Sequence, residues 1–311
     1  MTKVLISDRT HPVLAERLHE AGFSVSVEPE HDYQSLLGAV QGCEALVVRS
    51  KVTIDRDFID ACPTLRCIGR VGAGMETIDV AYAESRGIRC LNSPEGNRDA
   101  VGEHTVGLLL ALLNNIASAD AEVRQGLWQR EANRGLELGN LTVGIIGMGN
   151  MGQAFARRLS GFGCRIIFYD PKDLKNIKGS TPVSLSTLQQ EADIVSFHVP
   201  LTDETCHYLD RNFIDHMAKP FFLINTSRGA VVDTEALVAG LDSGKVRGAA
   251  LDVLEYEEMS CDTLNTQHPT LNTLLHSPHT VLTPHVAGWT VESKYKLAAI
   301  LADKIIDTLN T

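Results

Sequence analysis

The sequence has no cysteine pair at CxxC spacing, no excess of basic residues and no apolar run long enough to cross a bilayer. Its seven cysteines are scattered, which argues against a zinc site or a dithiol redox pair and is typical of reduced thiols. The net charge of −11 argues against nucleic acid and anionic membrane surfaces, which need basic partner surfaces. The longest apolar stretch, residues 106–113, is far shorter than the roughly 20 residues of a membrane helix. We therefore expect a soluble cytoplasmic protein with no metal, no nucleic-acid partner and no membrane partner.

Short apolar runs alternate with helical patterns along the chain, which predicts parallel strands joined by crossover helices. We expect an α/β fold with two Rossmann-like, doubly wound parallel-sheet domains and a cleft between them. Residues 291–310 form an amphipathic helical pattern that needs a surface to cover, and the first domain is the expected surface. The expected domains are therefore 1–94 plus 286–311, and 95–285. The predicted strands are 4–7, 23–27, 45–50, 67–72 and 88–92, then 142–149, 165–170, 192–200, 221–227, 248–253 and 280–285.

A glycine motif follows the first strand of the second series. Gly147, Gly149 and Gly152 stand at G-x-G-x-x-G spacing between a predicted strand and a predicted helix. The first glycine allows a tight turn, the second lets the backbone approach a pyrophosphate, and the third lets the helix pack on the strand. Asp170, 18 residues after Gly152, can accept hydrogen bonds from a ribose and would repel a 2′-phosphate. The motif favours NAD over NADP, although Lys172 is a nearby cation.

Chemically capable side chains stand at or just after the ends of later strands of this series. Arg228 follows the run FFLINTS, Asp252 and Glu257 lie in ALDVLEYE, and His285 follows VLTP. Ligands of open α/β sheets bind beyond the carboxyl ends of the strands, so these groups are expected on the cofactor side. Taken singly, each has an alternative interpretation: an arginine in a structural ion pair, a structural histidine, or an acid in a solvated loop.

The ordered set of motifs resembles the D-isomer-specific 2-hydroxyacid dehydrogenase family over nearly the whole chain. The segments that carry the resemblance are VGAGMETID (71–79), GNRDAVGEHTVGLLLAL (96–112), GLWQR (126–130), GLELGNLTVGIIGMGNMG (135–152), FHVPLTDET (197–205), LINTSRGAVVD (223–233), ALDVLEYE (250–257) and TPHVAGWT (283–290). The resemblance implies an NAD-dependent oxidoreductase with a substrate-binding flavodoxin-like domain, an NAD-binding Rossmann domain and a homodimeric assembly.

The resemblance also implies a role for each matching residue. Arg228 would bind the carboxylate and carbonyl of the substrate, His285 would exchange a proton with the C2 oxygen, and Glu257 would hydrogen-bond His285. The cofactor residues would be Gly147, Gly149, Asn150, Met151, Gly152, Asp170, Thr226, Ser227, Asp252, Ala287 and Gly288. The substrate residues would be Arg49, Ser50, Gly72, Ala73 and Gly74, together with Arg228 and His285.

Two features depart from the family pattern. Glu258 follows Glu257 where proline is common, and the connection to His285 is long, so Glu255 is an alternative partner for the histidine. The loop at residues 71–79 has Glu76 and Thr77 directly before Ile78, in place of the more usual Asp-Asn, which could alter the substrate loop.

The substrate is expected to be a small anionic 2-hydroxy or 2-oxo acid. Among relatives, a basic residue in the loop of Arg49, Ser50 and Lys51 can meet a substrate phosphate. The motifs GNRDAVGEH and HVAGWT also resemble those of short phosphoglycerate dehydrogenases. The leading expectation is D-3-phosphoglycerate, oxidised to 3-phosphohydroxypyruvate in serine biosynthesis. The alternative is a glyoxylate or hydroxypyruvate reductase, and a third hypothesis is a non-catalytic NAD(H)-sensing protein.

Overall fold

The computed structural model describes residues 1–174, 177–257 and 263–311; Glu258 lies outside them. The chain forms two compact units: unit 1 is Met1–Arg98 with Trp289–Thr311, and unit 2 is Asp99–Gly288. Residues 95–98 therefore belong to unit 1 and residues 286–288 to unit 2, a few positions from the expected domain bounds. The assignment of substrate and cofactor to separate domains, and the cleft between them, stay predictions.

The helices and strands alternate as a parallel α/β fold requires. In chain order they are β1 Lys3–Ile6, α1 Val13–Glu20, β2 Ser24–Val27, α2 Tyr33–Ala39, β3 Ala45–Val48, α3 Arg56–Asp60, β4 Cys67–Arg70, α4 Val80–Ser85, β5 Arg89–Asn92, α5 Arg98–Leu113, α6 Ile116–Arg124, β6 Thr142–Ile146, α7 Asn150–Leu159, β7 Arg165–Tyr169, β8 Thr181–Pro182, α8 Leu185–Glu191, β9 Ile194–Phe197, α9 Arg211–His216, β10 Phe221–Asn225, α10 Thr234–Asp242, β11 Val246–Leu251, α11 Pro269–Leu275, β12 Thr280–Leu282 and α12 Val291–Leu309.

Unit 1 is built on a parallel sheet in the order β2-β1-β3-β4-β5. Its central strands are buried on both faces because helices cover both: Val4 and Ile6 pack with α1 and α12, and Leu5 packs in the opposite cluster. α12 begins at a capping box, in which Thr290 accepts from the Ser293 amide and Ser293 accepts from the Thr290 amide. This box fixes the point where the chain re-enters unit 1.

Unit 2 is built on a parallel sheet in the order β12-β11-β10-β9-β6-β7-β8. β6, its first strand, lies between β7 and β9, so the strand order reverses beside β6. Because every described pairing in this sheet is parallel, the carboxyl ends of all its strands meet at one edge. That edge, at the reversal of strand order, is where open α/β sheets bind ligands.

The expectation of an α/β class with two parallel sheets is confirmed, and each predicted strand is present. β8, a two-residue strand at the sheet edge, was not predicted because its exposed residues carry no apolar pattern. Among the described helices, no single one is long and apolar enough to cross a membrane, and one bent pair, α5 with α6, passes on length and composition alone.

Candidate active site

The glycine turn follows β6 and leads into α7. Gly147 has φ 88°, which favours glycine, and a Cβ there would press on the carbonyl oxygen of His198. A Cβ at Gly152 would overlap the carbonyl oxygen of Gly147, whereas a Cβ at Gly149 would meet nothing within 4 Å. Backbone atoms thus crowd the turn at Gly147 and Gly152, and space is open at Gly149, directly before α7. A pyrophosphate group fits this arrangement.

Asp170 follows β7 and is tied to the glycine turn. Its Oδ2 accepts a hydrogen bond from the Met148 amide at 2.8 Å and its Oδ1 accepts one from the Lys172 amide at 2.9 Å. A cavity of about 300 Å³ lies beside it. The expected cofactor residues Asn150, which is exposed, and Met151, which is half-buried, are the first two residues of α7 and are not among the residues that line this cavity. The cavity is lined by Phe168, Tyr169, Asp170, Lys172, Asp173, Leu174, Pro182, Val183 and Ser184.

Arg228 stands three residues beyond the end of β10 in a segment shaped by Asn225. The Asn225 carboxamide oxygen accepts from the amide and hydroxyl of Ser227 at 3.0 and 2.7 Å, and its nitrogen donates to the Arg228 carbonyl at 2.8 Å. Thr226 is buried, with its hydroxyl 3.1 Å from that of Thr105. The fully buried Asn225 therefore fixes the backbone from which the Arg228 guanidinium extends.

Asp252 follows β11 and organises the segment that carries His285. It is only 2 % exposed, and its carboxylate accepts from the Thr283 hydroxyl and the Val286 and Ala287 amides at 2.5–2.9 Å, with His104 Nε2 at 3.4 Å. Burial alone would raise the pKa of Asp252, but these hydrogen bonds outweigh it and lower the pKa below its usual value. The side chain is thus a buried anion that binds its own chain, and its expected role towards the cofactor stays a prediction.

His285 and Glu257 form a close pair. His285 Nδ1 lies 2.7 Å from Glu257 Oε2, and both side chains are largely buried. His285 has φ 55°, a left-handed conformation rare outside glycine, held by its amide donating to the Asp252 carbonyl at 2.7 Å. Glu255, the alternative partner, instead lies against His207 at 2.5 Å. Glu257 is therefore the acid that the structure pairs with the histidine.

Arg228, Asp252 and His285 follow three neighbouring strands of one sheet, β10, β11 and β12. Adjacent strands lie about 4.8 Å apart, so the backbones of the outer two are separated by about 10 Å. A cation, a buried anion that holds a loop, and an acid-supported imidazole thus stand at one edge of unit 2. Gly288, which ends unit 2, and the buried Ala287 continue the same segment.

The expected substrate residues of unit 1 follow β3 and β4. The Arg49 amide donates to Asp8 at 2.7 Å, and the Arg49 guanidinium stacks on the Trp289 ring at 4.6 Å from its centroid. The Arg70 guanidinium donates to the Arg49 carbonyl at 3.3 Å and lies where a Cβ of Gly72 would stand. The Arg70 guanidinium thus occupies the space beside Gly72, and a side chain at that position would displace it.

The loop of Gly72, Ala73 and Gly74 is held by its carbonyl groups. The Ser93 amide donates to the Gly72 carbonyl at 3.0 Å, and the Asn92 carboxamide donates to the Ala73 carbonyl at 2.6 Å. These two bonds fix the backbone of the loop, and its expected role in holding a substrate carboxylate stays a prediction.

Three cationic side chains act on the Asp8 carboxylate in this part of unit 1. Burial raises the pKa of Asp8, and the Arg49 amide and the charges of Arg49, Lys51 and Arg70 oppose that rise. The half-buried Ser50 lies between Arg49 and Lys51 in sequence. This part of unit 1 can attract an anion within an acidic protein.

Sequence reasoning missed several residues that shape the site. His104 and Thr283 both bind Asp252, and their only sequence signal was membership in the motifs GEH and TPH. Trp289 lies in the motif TPHVAGWT (283–290), but its stacking on Arg49 was not predicted. Across the described ranges, no group of three or more histidine, cysteine, aspartate or glutamate residues could hold a metal ion.

Comparisons with known proteins agree on one family. A family model described as D-isomer specific 2-hydroxyacid dehydrogenase, NAD binding domain, matches residues 106–287. D-3-phosphoglycerate dehydrogenase of Methanocaldococcus jannaschii is 37% identical over 98% of this chain, which spans 57% of that relative's length. Hydroxypyruvate reductase of Thermotoga maritima is 37% identical over 92% of this chain and 91% of its own length.

Solved structures give the same result. D-lactate dehydrogenase from Aquifex aeolicus, solved with NAD and lactic acid, has a TM-score of 0.85 at 26% identity and covers 99% of this chain and 96% of its own. The matched family model is an NAD-binding one, and the glycine turn and Asp170 fit that cofactor. The chain therefore belongs to the D-isomer specific 2-hydroxyacid dehydrogenase family, an oxidoreductase family whose cofactor is NAD.

Proposed function

We propose that this chain interconverts a D-2-hydroxy acid and the corresponding 2-oxo acid with NAD as the hydride carrier. The observation that carries the proposal is the His285–Glu257 pair, 2.7 Å apart, at the sheet edge that also presents Arg228. NAD, when bound, accepts or donates a hydride at its nicotinamide ring. The residues of this chain supply the proton, the counter-charge and the orientation.

His285 is assigned as the proton donor and acceptor at the C2 oxygen. Its Nδ1 is engaged by Glu257, so Nε2 is the ring nitrogen that we assign to the substrate. A carboxylate beside the ring favours the imidazolium form needed for proton donation during reduction. Arg228 is assigned as the group that binds the substrate carboxylate and stabilises negative charge developing on the C2 oxygen.

The proposed substrate is 3-phosphoglycerate, oxidised to 3-phosphohydroxypyruvate as in serine biosynthesis. The support comes from unit 1, where the charges of Arg49, Lys51 and Arg70 all act on the Asp8 carboxylate. A second anionic group on the substrate would be attracted by these cations, and a simple 2-oxo acid would not need them.

Glyoxylate or hydroxypyruvate reduction is the second candidate. A glyoxylate reductase of Thermofilum pendens is 39% identical to this chain, a similarity that supports the smaller acids as much as the phosphorylated one. For these acids the loop of Gly72–Gly74 and Arg228 would bind the carboxylate, and Arg49 would contribute little.

A substrate panel separates the candidates. The oxidation of NADH is followed by absorbance with 3-phosphohydroxypyruvate, hydroxypyruvate and glyoxylate, in the wild type, in Arg49→Ala and in the control Arg56→Ala. Arg56 is a good control because it is an exposed unit 1 cation paired with Asp79 at 3.0 Å. A loss of kcat/KM in R49A confined to the phosphorylated acid supports phosphoglycerate. Equal losses on all acids would refute that choice.

His285→Ala tests the reaction class. Turnover of the best acid is expected to fall by about 10²–10⁴-fold because a positioned general acid contributes that much, while NADH binding, measured by fluorescence, is retained. Wild-type protein that binds NADH but turns over none of the three acids would refute the proposed activity and favour an NAD(H)-sensing role.

The assembly and compartment are proposed with the function. We propose a homodimer, as the resemblance to the family implies, and sedimentation velocity tests it: a monomer at micromolar concentration would refute it.

We also propose a reducing, cytoplasmic compartment, since the six described cysteines are all free. The net charge of −11 supports the absence of a nucleic-acid partner.

A further inference from the structure

The carboxylate of Glu255 joins three segments of unit 2. Its Oε1 lies 2.5 Å from His207 Nε2, and its Oε2 accepts a hydrogen bond from the Thr234 amide at 2.9 Å. The side chain is 16% exposed. A buried carboxylate with both oxygens engaged resists displacement, because breaking either contact leaves a poorly solvated charge.

The first of these segments runs from Arg228 to the start of α10. Gly229 opens a short 3₁₀ turn, and a Cβ there would overlap the Leu254 carbonyl oxygen and crowd the Glu255 amide. The backbone beside Arg228 therefore touches the backbone beside Glu255. Thr234, the first residue of α10, completes the contact through its amide.

The second segment is the turn from Leu254 to Glu257. The Leu254 amide donates to Glu257 Oε1, and the Glu257 amide donates to the Leu254 carbonyl at 3.2 Å. The remaining oxygen of Glu257 lies 2.7 Å from His285 Nδ1. A displacement of this turn would therefore move Glu257 relative to the imidazole that it supports.

The third segment contains His207, which is held in an unfavourable backbone conformation. Its φ is 51°, which costs about 1 kcal/mol or more for a residue other than glycine. Its amide donates to the Ala230 carbonyl at 2.7 Å, within the segment that follows Arg228. His207 thus contacts the Arg228 segment with its backbone and Glu255 with its ring.

We propose that Glu255 and His207 are positioning residues that fix the Arg228 segment and the Glu257 turn relative to one another. The proposal rests on the proposed function, because it gives Arg228, Glu257 and His285 their roles. Neither Glu255 nor His207 needs to touch substrate or cofactor. Each acts by holding the backbone of groups that do, where a displacement of about 1 Å can cost about 100-fold in rate.

Four variants test this. Glu255→Ala removes both contacts, Glu255→Gln keeps an acceptor for the Thr234 amide without the charge, and His207→Asn removes the ring but tolerates the left-handed backbone. Glu191→Ala is the matched control, since it breaks the Arg165–Glu191 ion pair of the same unit, also at 2.5 Å.

Two measurements are made on these variants. The first readout is steady-state kinetics. The second is the tautomer of His285, measured by ¹H–¹⁵N correlation of histidine-labelled protein and assigned with His285→Asn.

If Glu255 and His207 are positioning residues, the four variants should differ in the size of their effects. E255A is expected to lose about tenfold to 100-fold in kcat with the KM for NADH unchanged, H207N less, and E255Q and E191A less than about threefold. At a pH where the ring is neutral, the Nδ1–H tautomer of His285 should dominate in the wild type and E255Q and become mixed in E255A. Equal losses in E255A and E255Q would assign the effect to charge and overturn the proposal, as would an unchanged tautomer in folded E255A.

Different results would refute the proposed activity and the positioning role of Glu255. A wild type without turnover on any 2-oxo acid refutes the proposed activity, while the tautomer still reports whether Glu255 positions the Glu257–His285 pair. A wild type with turnover, and an E255A variant with the same kcat and tautomer, refutes the positioning role alone.

Discussion

Acid is expected to destabilise unit 2 through His198, which lies directly after β9 and beneath the glycine turn. The side chain is 9% exposed, packs against Phe155 and has its Nε2 2.8 Å from the Ser196 hydroxyl. Its Nδ1 is buried without a hydrogen-bond partner in the described part of the chain. Burial lowers the pKa of His198 to about 3, because protonation would place an unpaired charge in the core.

The size of this destabilisation follows from the difference between the pKa values of His198 in the folded and unfolded states. The unfolded chain takes up this proton below pH 6.5, the ordinary pKa, and the folded chain takes it up only near pH 3. The stabilisation from keeping the ring neutral is therefore complete above pH 6.5 and declines as the pH falls from 6.5 towards 3. The slope is about 1.4 kcal/mol per pH unit, so roughly 1.4 kcal/mol is lost by pH 5.5.

Urea unfolding followed by circular dichroism at pH 7.5 and pH 5.5 measures this loss. Other groups also titrate over this range, so the test is the comparison with His198→Gln, in which the decrease in unfolding free energy should be smaller by about 1.4 kcal/mol. Exposed His19 provides the control: His19→Gln should keep the wild-type decrease. An H198Q variant with the same pH dependence as the wild type would refute the reasoning.

Four further changes have expected outcomes. Arg228→Gln should raise the KM of the 2-oxo acid and lower kcat/KM by about 10²–10³-fold in steady-state assays, and unchanged kinetics would contradict its role. Gly152→Val should abolish NADH binding measured by fluorescence, since even a Cβ overlaps the carbonyl oxygen of the first motif glycine; a retained affinity would exclude this turn as the pyrophosphate site. Asp170→Ala should reduce the preference for NADH over NADPH by about tenfold, as loss of a ribose contact implies, and an unaltered ratio of kcat/KM values would mean that another residue sets it. Trp289→Leu should raise the KM of a phosphorylated acid about twofold to fivefold by removing the ring that Arg49 stacks on, with no change for glyoxylate; an equal effect on both acids would separate Trp289 from phosphate binding.

The sequence was sufficient to predict the parallel sheets and the glycine turn, because both depend on local patterns. Strand periodicity and glycine spacing are properties of short segments, and Gly147 and Gly152 do stand where a side chain would collide with backbone. β8 escaped prediction because two exposed residues carry no periodicity.

Contacts between segments that are far apart in the sequence could not be predicted from local patterns. The resemblance assigned Glu257 to His285 and left Glu255 as an alternative, because no local pattern separates two glutamates two residues apart; the structure pairs Glu255 with His207 and Glu257 with His285. Both histidines have positive φ values, which sequence propensity argues against for non-glycine residues. Their conformations are set by tertiary hydrogen bonds to Ala230 and Asp252, so no local signal marks them.

The four donors that converge on Asp252 have an evolutionary consequence. They come from α5 and from the segment between β12 and the end of unit 2, so these contacts hold the peptide bearing His285 to Asp252 within its own unit. Exchanges at Arg49, Lys51 or Trp289, all in unit 1, leave those bonds intact. If the proposed roles hold, descendants of such a chain would change the acid they accept while inheriting the same His285 segment.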